Sequence, residues 1–201
     1  MGASLESGMG RQHLIIVCGV PGAGKSTFAL RAVERWKAVS FASETFADEL
    51  GAAARTAFGD LSQEAILYAY SAMTAAVIEA LATDKLVVAV GSFRAEEQRS
   101  QFRVIATNAG ASVTTLRIGC PVETAARRVR SRIALGERGP SEKAIRQIDD
   151  ELNRASEIDA VLTNDRSIEH FHQQIDTMIQ SLELASAATR PRRASLSSAV
   201  E

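Results

Sequence analysis

The sequence predicts an α/β domain built on a parallel sheet with helices on both faces. Three observations lead there. Short apolar runs alternate with segments whose apolar residues recur at three- and four-residue spacing. The first apolar run, "HLIIVCGV", breaks directly into a glycine-rich turn, "GVPGAGKST", Gly19 to Thr27, and then into a helical pattern. And 201 residues, 46% hydrophobic and 23% charged, have the size and balance of one ordinary globular domain.

The elements follow in order. A first strand covers 13–19, and the helix "KSTFALRAVERWK" places Phe28, Ala32 and Trp36 on one stripe. A short second strand, "AVSFAS", covers 38–43. Residues 44–83 show no strand pattern, and from residue 61 their apolar residues take helical spacing, with Asp60 or Ser62 as the cap. "KLVVAVG", 85–91, is the third strand, followed by the polar helix "AEEQRSQFRVIATNAG". "SVTTLRIGC" is the fourth strand, and Pro121 turns the chain into the helix "VETAARRVRSRIAL". "GERGP" breaks that pattern, and Ser141 caps a helix to about 155. "DAVLTND" supplies the fifth strand, and Ser167 caps a last helix, 168–185. Residues 1–12 read as a flexible leader, and 186–201 as a disordered tail without periodicity. "RPRRASLSS" offers a basic-directed phosphorylation pattern at Ser195, of a kind common by chance in such tails.

Residues 19–26 match G-x-x-x-x-G-K-[ST] in its required context, strand before and helix after. Glycines let backbone N–H groups converge on a phosphate, and the helix N-terminus behind them favours the anion. Gly19, Val20, Pro21, Gly22, Ala23, Gly24, Lys25, Ser26 and Thr27 are therefore the expected nucleotide cradle. Lys25 is expected to bridge the β- and γ-phosphates of ATP, and the Ser26 hydroxyl to ligate Mg²⁺.

Composition narrows the alternatives. The formal charge of −1 gives no net attraction to nucleic acid or acidic membranes. The 23 basic residues are 19 Arg and 4 Lys, and arginine's planar fork suits phosphate. No apolar run approaches the roughly 20 residues of a membrane span, and the first residues lack the order of a secretion signal. A cytoplasmic location is the expectation. Cys18 and Cys120 fall in strands expected to be buried and fit no metal spacing; the three histidines are expected to be surface or packing residues. No N-K-x-D guanine reader is present, "TNDR" at 163–166 not supplying one, and the third strand ends in "AVGSF" without an acid.

From about residue 13 to 182 the chain resembles the small P-loop kinases of the nucleoside monophosphate kinase-like group, including dephospho-CoA kinase and deoxynucleotide monophosphate kinase. Polynucleotide and zeta-toxin-like kinases share the layout. Besides the loop, the resemblance rests on "FADELGAAARTAFG" (46–59), "VGSFRAEEQRSQFR" (90–103) and "DAVLTNDRSIEHFHQQI" (159–175). It implies a three-layer P-loop NTPase fold over 13–185, with strand order 2-3-1-4-5. It also implies an acceptor-binding helical insert at 44–83 and a short basic lid at 127–141.

In such kinases an acid after strand two takes the acceptor's proton. Here Glu44 and Asp48 are the candidates, and either could instead serve as a helix cap. Relatives often place an Asp at the end of strand three, where this chain has Gly91. Arg94 is the expected acceptor contact, being nearest the strand end; Arg99 and Arg103 share a helix face, and Arg103 reads as solvated beside Glu96 and Glu97. Arg128 and Arg132, four apart, could close over the phosphates as a lid, or be a solvated or nucleic-acid-contacting face. Asn164 and Asp165 could border the adenine or only turn the chain.

The expected activity is transfer of the γ-phosphate of ATP to a small, nucleotide-like or phosphorylated acceptor, with Arg55 and Arg94 as phosphate forks. Nucleic acid is disfavoured as acceptor, because the insert carries only Arg55 and is otherwise mostly apolar or acidic. A nucleotide-binding regulator with weak ATPase activity is the reading from a different class.

Overall fold

The computed structural model describes residues 12–56, 60–83 and 86–188. The expected leader apart from Gln12, the end of the chain and Ser195 lie outside the described residues. Five strands, β1 (His13–Cys18), β2 (Val39–Ala42), β3 (Leu86–Val90), β4 (Ser112–Gly119) and β5 (Ala160–Thr163), form one sheet in the order β2-β3-β1-β4-β5. All four pairings are parallel, so the order implied by the resemblance is the order present.

β1 and β3 are buried at every position, which is why both read as unbroken apolar runs instead of alternating ones. The helices are α1 (Lys25–Trp36), α2 (Ser43–Asp48), α3 (Gln63–Leu81), α4 (Glu96–Asn108), α5 (Val122–Ala134), α6 (Glu142–Asn153) and α7 (Ile168–Ala188). Three of them, α3, α6 and α7, begin where a serine side chain satisfies a free N–H group. Ser62 Oγ accepts from Ala65 N at 3.1 Å and Ser141 Oγ from Ala144 N at 3.2 Å. Ser167 Oγ accepts from His170 N at 3.3 Å. α7 runs to Ala188, past the expected end at 185.

Several expectations need correction. Asp60 caps nothing: Ser62 takes that role and Asp60 bonds to Ser141. Arg103 does not pair with Glu96 or Glu97, which lie at the other end of α4; it reaches Asp159 at 2.8 Å and the Glu157 carbonyl at 2.7 Å. Cys120 lies just past β4 and is only half-buried, whereas Cys18 is fully buried. α3 does have the length and apolarity of a membrane span, alone among the described helices. In this fold its Ala65, Ala69, Tyr70, Met73, Val77 and Leu81 are buried.

Beside β3, Tyr70, Phe93 and Phe102 meet edge to face. Centroid separations are 5.0 Å for Tyr70–Phe93 and 5.1 Å for Phe93–Phe102, with ring planes 80° and 85° apart. This cluster fixes α3 and α4 against the sheet edge that carries the site. Phe102→Ala should lower the unfolding free energy by about 3–5 kcal/mol, since a buried aromatic leaves both lost contacts and a cavity. Urea unfolding checks this, and a loss below about 1 kcal/mol would show that the cluster is not structural.

Candidate active site

Because every strand is parallel, all five carboxyl ends lie on one edge, the edge where open α/β sheets bind ligands. A cavity of about 760 Å³ opens there. Its walls come from the loop after β1, the ends of β2 and β3, the insert, α5, the start of α6 and the turn after β5.

The loop forms one end. Gly24 is the N-cap of α1 with φ 109°, and no side chain caps the first turn, so the N–H groups there are left for a ligand. A Cβ at Gly24 would stand 2.3 Å from Asn164 Nδ2, so the chain can pass here only as glycine. Pro21, Gly22, Gly24, Lys25, Ser26 and Thr27 line the cavity; Val20 and Ala23 are buried behind it, as framework. Gly19 completes the turn, its N–H donating to the Ser92 carbonyl at 3.4 Å.

Asn164 is buried, and its Nδ2 donates to the Ala23 carbonyl at 2.7 Å. Its amide therefore ties the loop to β5 from beneath while it also lines the cavity. Lys25 Nζ donates to the Val20 carbonyl at 2.9 Å, folded back over the loop. Burial pushes its pKa down to about 8, an effect the Glu44 charge opposes and the Arg132 charge reinforces.

The cationic wall is α5. Arg127, Arg128 and Arg132 line the cavity, and Arg128 Nη1 donates to the Gly22 carbonyl at 3.2 Å. Arg132 is exposed, 3.8 Å from Glu137. Residues 127–134 of the expected lid are the second half of α5, and the chain after it carries Arg138 into the lining. Arg166, beyond β5, lines the same end. Sequence reasoning passed over Arg127 and Arg166; their adjacency to Arg128 and to the Asn164–Asp165 turn was the available signal.

Glu44, in the first turn of α2, lines the cavity with its side chain 60% exposed, so a ligand can reach it. Asp48, one turn on, is outside the lining. Both flank Arg55, whose Nη2 is 3.5 Å from Glu44 and 3.3 Å from Asp48. Arg94 lines the cavity and meets Glu151 of α6 at 3.4 Å.

Arg94 owes its place to the residue before it. Phe93 sits at φ 44°, a left-handed conformation that costs a bulky residue free energy. Tyr70 Oη accepts from Phe93 N at 2.9 Å, and buried Arg99 donates to the Phe93 and Arg94 carbonyls at 2.6 and 3.1 Å. Arg99 is therefore a positioning residue enclosed in the core, not part of a solvated face. At Gly91 a Cβ would lie 2.7 Å from the Tyr70 hydroxyl. Burial pushes the Tyr70 pKa up, so that hydroxyl stays neutral.

The family described as AAA domain matches residues 14–158. No curated protein matches the chain by sequence. Among solved structures, the chain is similar to the APS kinase CysC of Mycobacterium tuberculosis in complex with AMPPNP and APS. The TM-score is 0.63 at 20% identity, covering 86% of this chain and 98% of that one. A gluconokinase from Sinorhizobium meliloti matches with TM-score 0.63 at 16% identity, over 89% of this chain and 98% of that one. Kti12 of Chaetomium thermophilum, in complex with ADP-AlF3, matches with TM-score 0.60 at 22% identity, over 83% and 97%. These likenesses establish a P-loop kinase-like fold.

The lowered pKa of Lys25 carries a pH prediction. In the empty protein the ammonium loses its proton near pH 8, whereas a neighbouring triphosphate would favour the charged form and raise that pKa. Binding above pH 8 must therefore take up a proton, and affinity for ATP should fall as pH rises through about 8. Calorimetric titration between pH 7 and pH 9.5, in buffers of different ionisation enthalpy, should show about tenfold loss per pH unit and proton uptake. A flat profile would contradict it.

Proposed function

The chain belongs to the AAA domain family, and on that premise we propose that it is an ATP-dependent phosphotransferase acting on a small acceptor. The acceptor class we favour is phosphorylated or nucleotide-like. One observation carries the reading: an uncapped helix start, Lys25 and an accessible carboxylate, Glu44, line one cavity, with Glu44 near enough for its charge to act on Lys25. ATP supplies the phosphoryl group. The N–H groups of Gly22 and of residues 24–27, with the Lys25 ammonium, would hold its phosphates, and Arg127, Arg128 and Arg132 would neutralise charge that spreads over the transferring group. Ser26, exposed on the cavity wall, would hold Mg²⁺ through its hydroxyl.

The acceptor hydroxyl oxygen forms a bond to the γ-phosphorus as the bond to the bridging oxygen breaks. ADP leaves with that electron pair, and the hydroxyl proton passes to Glu44. Glu44 is favoured over Asp48 because only Glu44 lines the cavity. Arg94 and Arg55 support a phosphorylated acceptor, as cations on the side away from the loop. The closing turn with Arg138 would exclude water, which otherwise competes for the phosphate. The absence of an acid at Gly91 keeps a second reading open, a nucleotide-binding regulator with weak ATPase activity.

The test is phosphoryl transfer from ATP with Mg²⁺ to a panel of nucleoside monophosphates, dephospho-CoA, sugars and 5′-hydroxyl oligonucleotides. Lys25→Ala should cost at least about a hundredfold in rate, as loss of one charge-stabilising donor does. Glu44→Gln should cost about a hundredfold or more with ATP affinity retained, whereas Asp48→Asn should stay within about threefold. ATP binding without transfer to any acceptor would favour the regulator.

A further inference from the structure

The acceptor half of the cavity has a particular chemistry. On α6, Ala144 and Ile148 line the cavity, and Ser141 at the N-cap and Glu151 lie three residues to either side of that pair, on the same side of the helix. Its two ends are polar and already engaged. Ser141 N and Oγ donate to Asp60 at 2.7 and 3.1 Å, and Glu151 pairs with Arg94. Between those ties lie the aliphatic groups of Ala144 and Ile148. The insert supplies a second aliphatic wall, Leu61, Ile66 and Ala69.

Several polar groups bordering this space are engaged inside the protein. Asp60 accepts from Ser141 with both carboxylate oxygens. The Tyr70 hydroxyl accepts from Phe93 N and is hydrogen-bonded to Ser43 and Ser92. Asn164 Nδ2 is committed to Ala23. The polar groups that face an acceptor are Glu44, the arginine heads and serine hydroxyls, all outside the two aliphatic walls. A polyol laid along those walls would bury hydroxyls against aliphatic surface, each unpaired one costing about 1–3 kcal/mol.

Resting on the phosphotransferase reading, we propose that the acceptor is an alcohol with an apolar body, a ring or a short chain laid along Ala144 and Ile148. It carries one anionic group at Arg94, and its body is recognised by shape and not by hydrogen bonds. Within the phosphorylated or nucleotide-like class favoured above, this selects apolar-bodied anions over nucleotides, sugar acids and polyol phosphates, and related apolar bodies are accepted with little discrimination. In the Arg94 contact the acceptor's anion takes over the guanidinium from Glu151.

The full chain, with ATP and Mg²⁺, is titrated with anilinonaphthalene sulfonate, an apolar ring body carrying one anion. Fluorescence reports binding. Ala144→Phe, which fills the space, and Ile66→Ser, which removes part of the second wall, should each weaken probe binding about tenfold. The ATP dissociation constant should stay within about twofold. Arg94→Ala should weaken the probe but not its uncharged parent amine. Glycerol phosphate and gluconate should neither displace the probe nor accept phosphate. Probe binding indifferent to both wall variants, or transfer to a sugar acid or polyol phosphate as fast as to any ring-bodied alcohol, overturns the inference and leaves the kinase reading standing. A protein that binds no ATP overturns both.

Discussion

Everything at this site depends on how the chain leaves β1. A buried strand must end and a helix begin within six residues, 19–24, without closing off the N–H groups at the helix start. Left-handed backbone at Gly24 makes the turn possible, but a glycine-rich loop is also the segment with the most entropy to lose on ordering. Asn164 answers that cost. Its buried amide grips the Ala23 carbonyl from β5, on the far side of β4, so the loop's shape is held by the sheet's own order. Arg128 does the same from α5 through Gly22. The cradle is thus set by parts of the chain that follow it by more than a hundred residues, and a ligand meets donors already in place.

Charge divides the cavity in the same way. Around the loop, Lys25, Arg127, Arg128, Arg132 and Arg166 line the wall with little acid among them, a surround suited to a polyanion. Away from the loop the arginines come with carboxylates: Arg55 with Glu44 and Asp48, Arg94 with Glu151. These pairs are partly exposed and loose, at 3.3–3.5 Å, so they are worth little as stability. They do bring positive and negative charge together in that part of the cavity, whereas most of the arginines around the loop line it without an acid beside them.

The legible parts of the molecule were the local ones. Strand, glycine turn and helix follow one another in "GVPGAGKST" and its flanks, so the cradle and Lys25 could be read directly. Ser62 and Ser141 as caps were also local, being set by the residues just after them. What escaped were bonds between distant residues. Asp60 looked like a cap because its partner is 81 positions away; Asn164, which does border the cavity, also anchors a loop 141 positions away, and nothing near it in sequence shows that. Arg103 looked solvated beside Glu96 and Glu97 because its partners Glu157 and Asp159 lie more than fifty residues on, and nothing in its helix announces that Arg99 supports the turn at Phe93. Charged residues at helical spacing read as a wet face unless the tertiary fold covers them.

The end of β3 shows why a missing residue can be as informative as a present one. An acid at position 91 and the Tyr70 hydroxyl cannot occupy the same space, since the two would approach within 2.7 Å. The chain holds tyrosine there, and the hydroxyl is committed to the N–H of Phe93. That bond and the Arg99 guanidinium together hold Phe93 in a conformation its side chain resists. The strain is local, and its effect is to aim the next residue, Arg94, into the cavity. The side chain that glycine leaves out at position 91 makes room for the bonds that set the direction of Arg94.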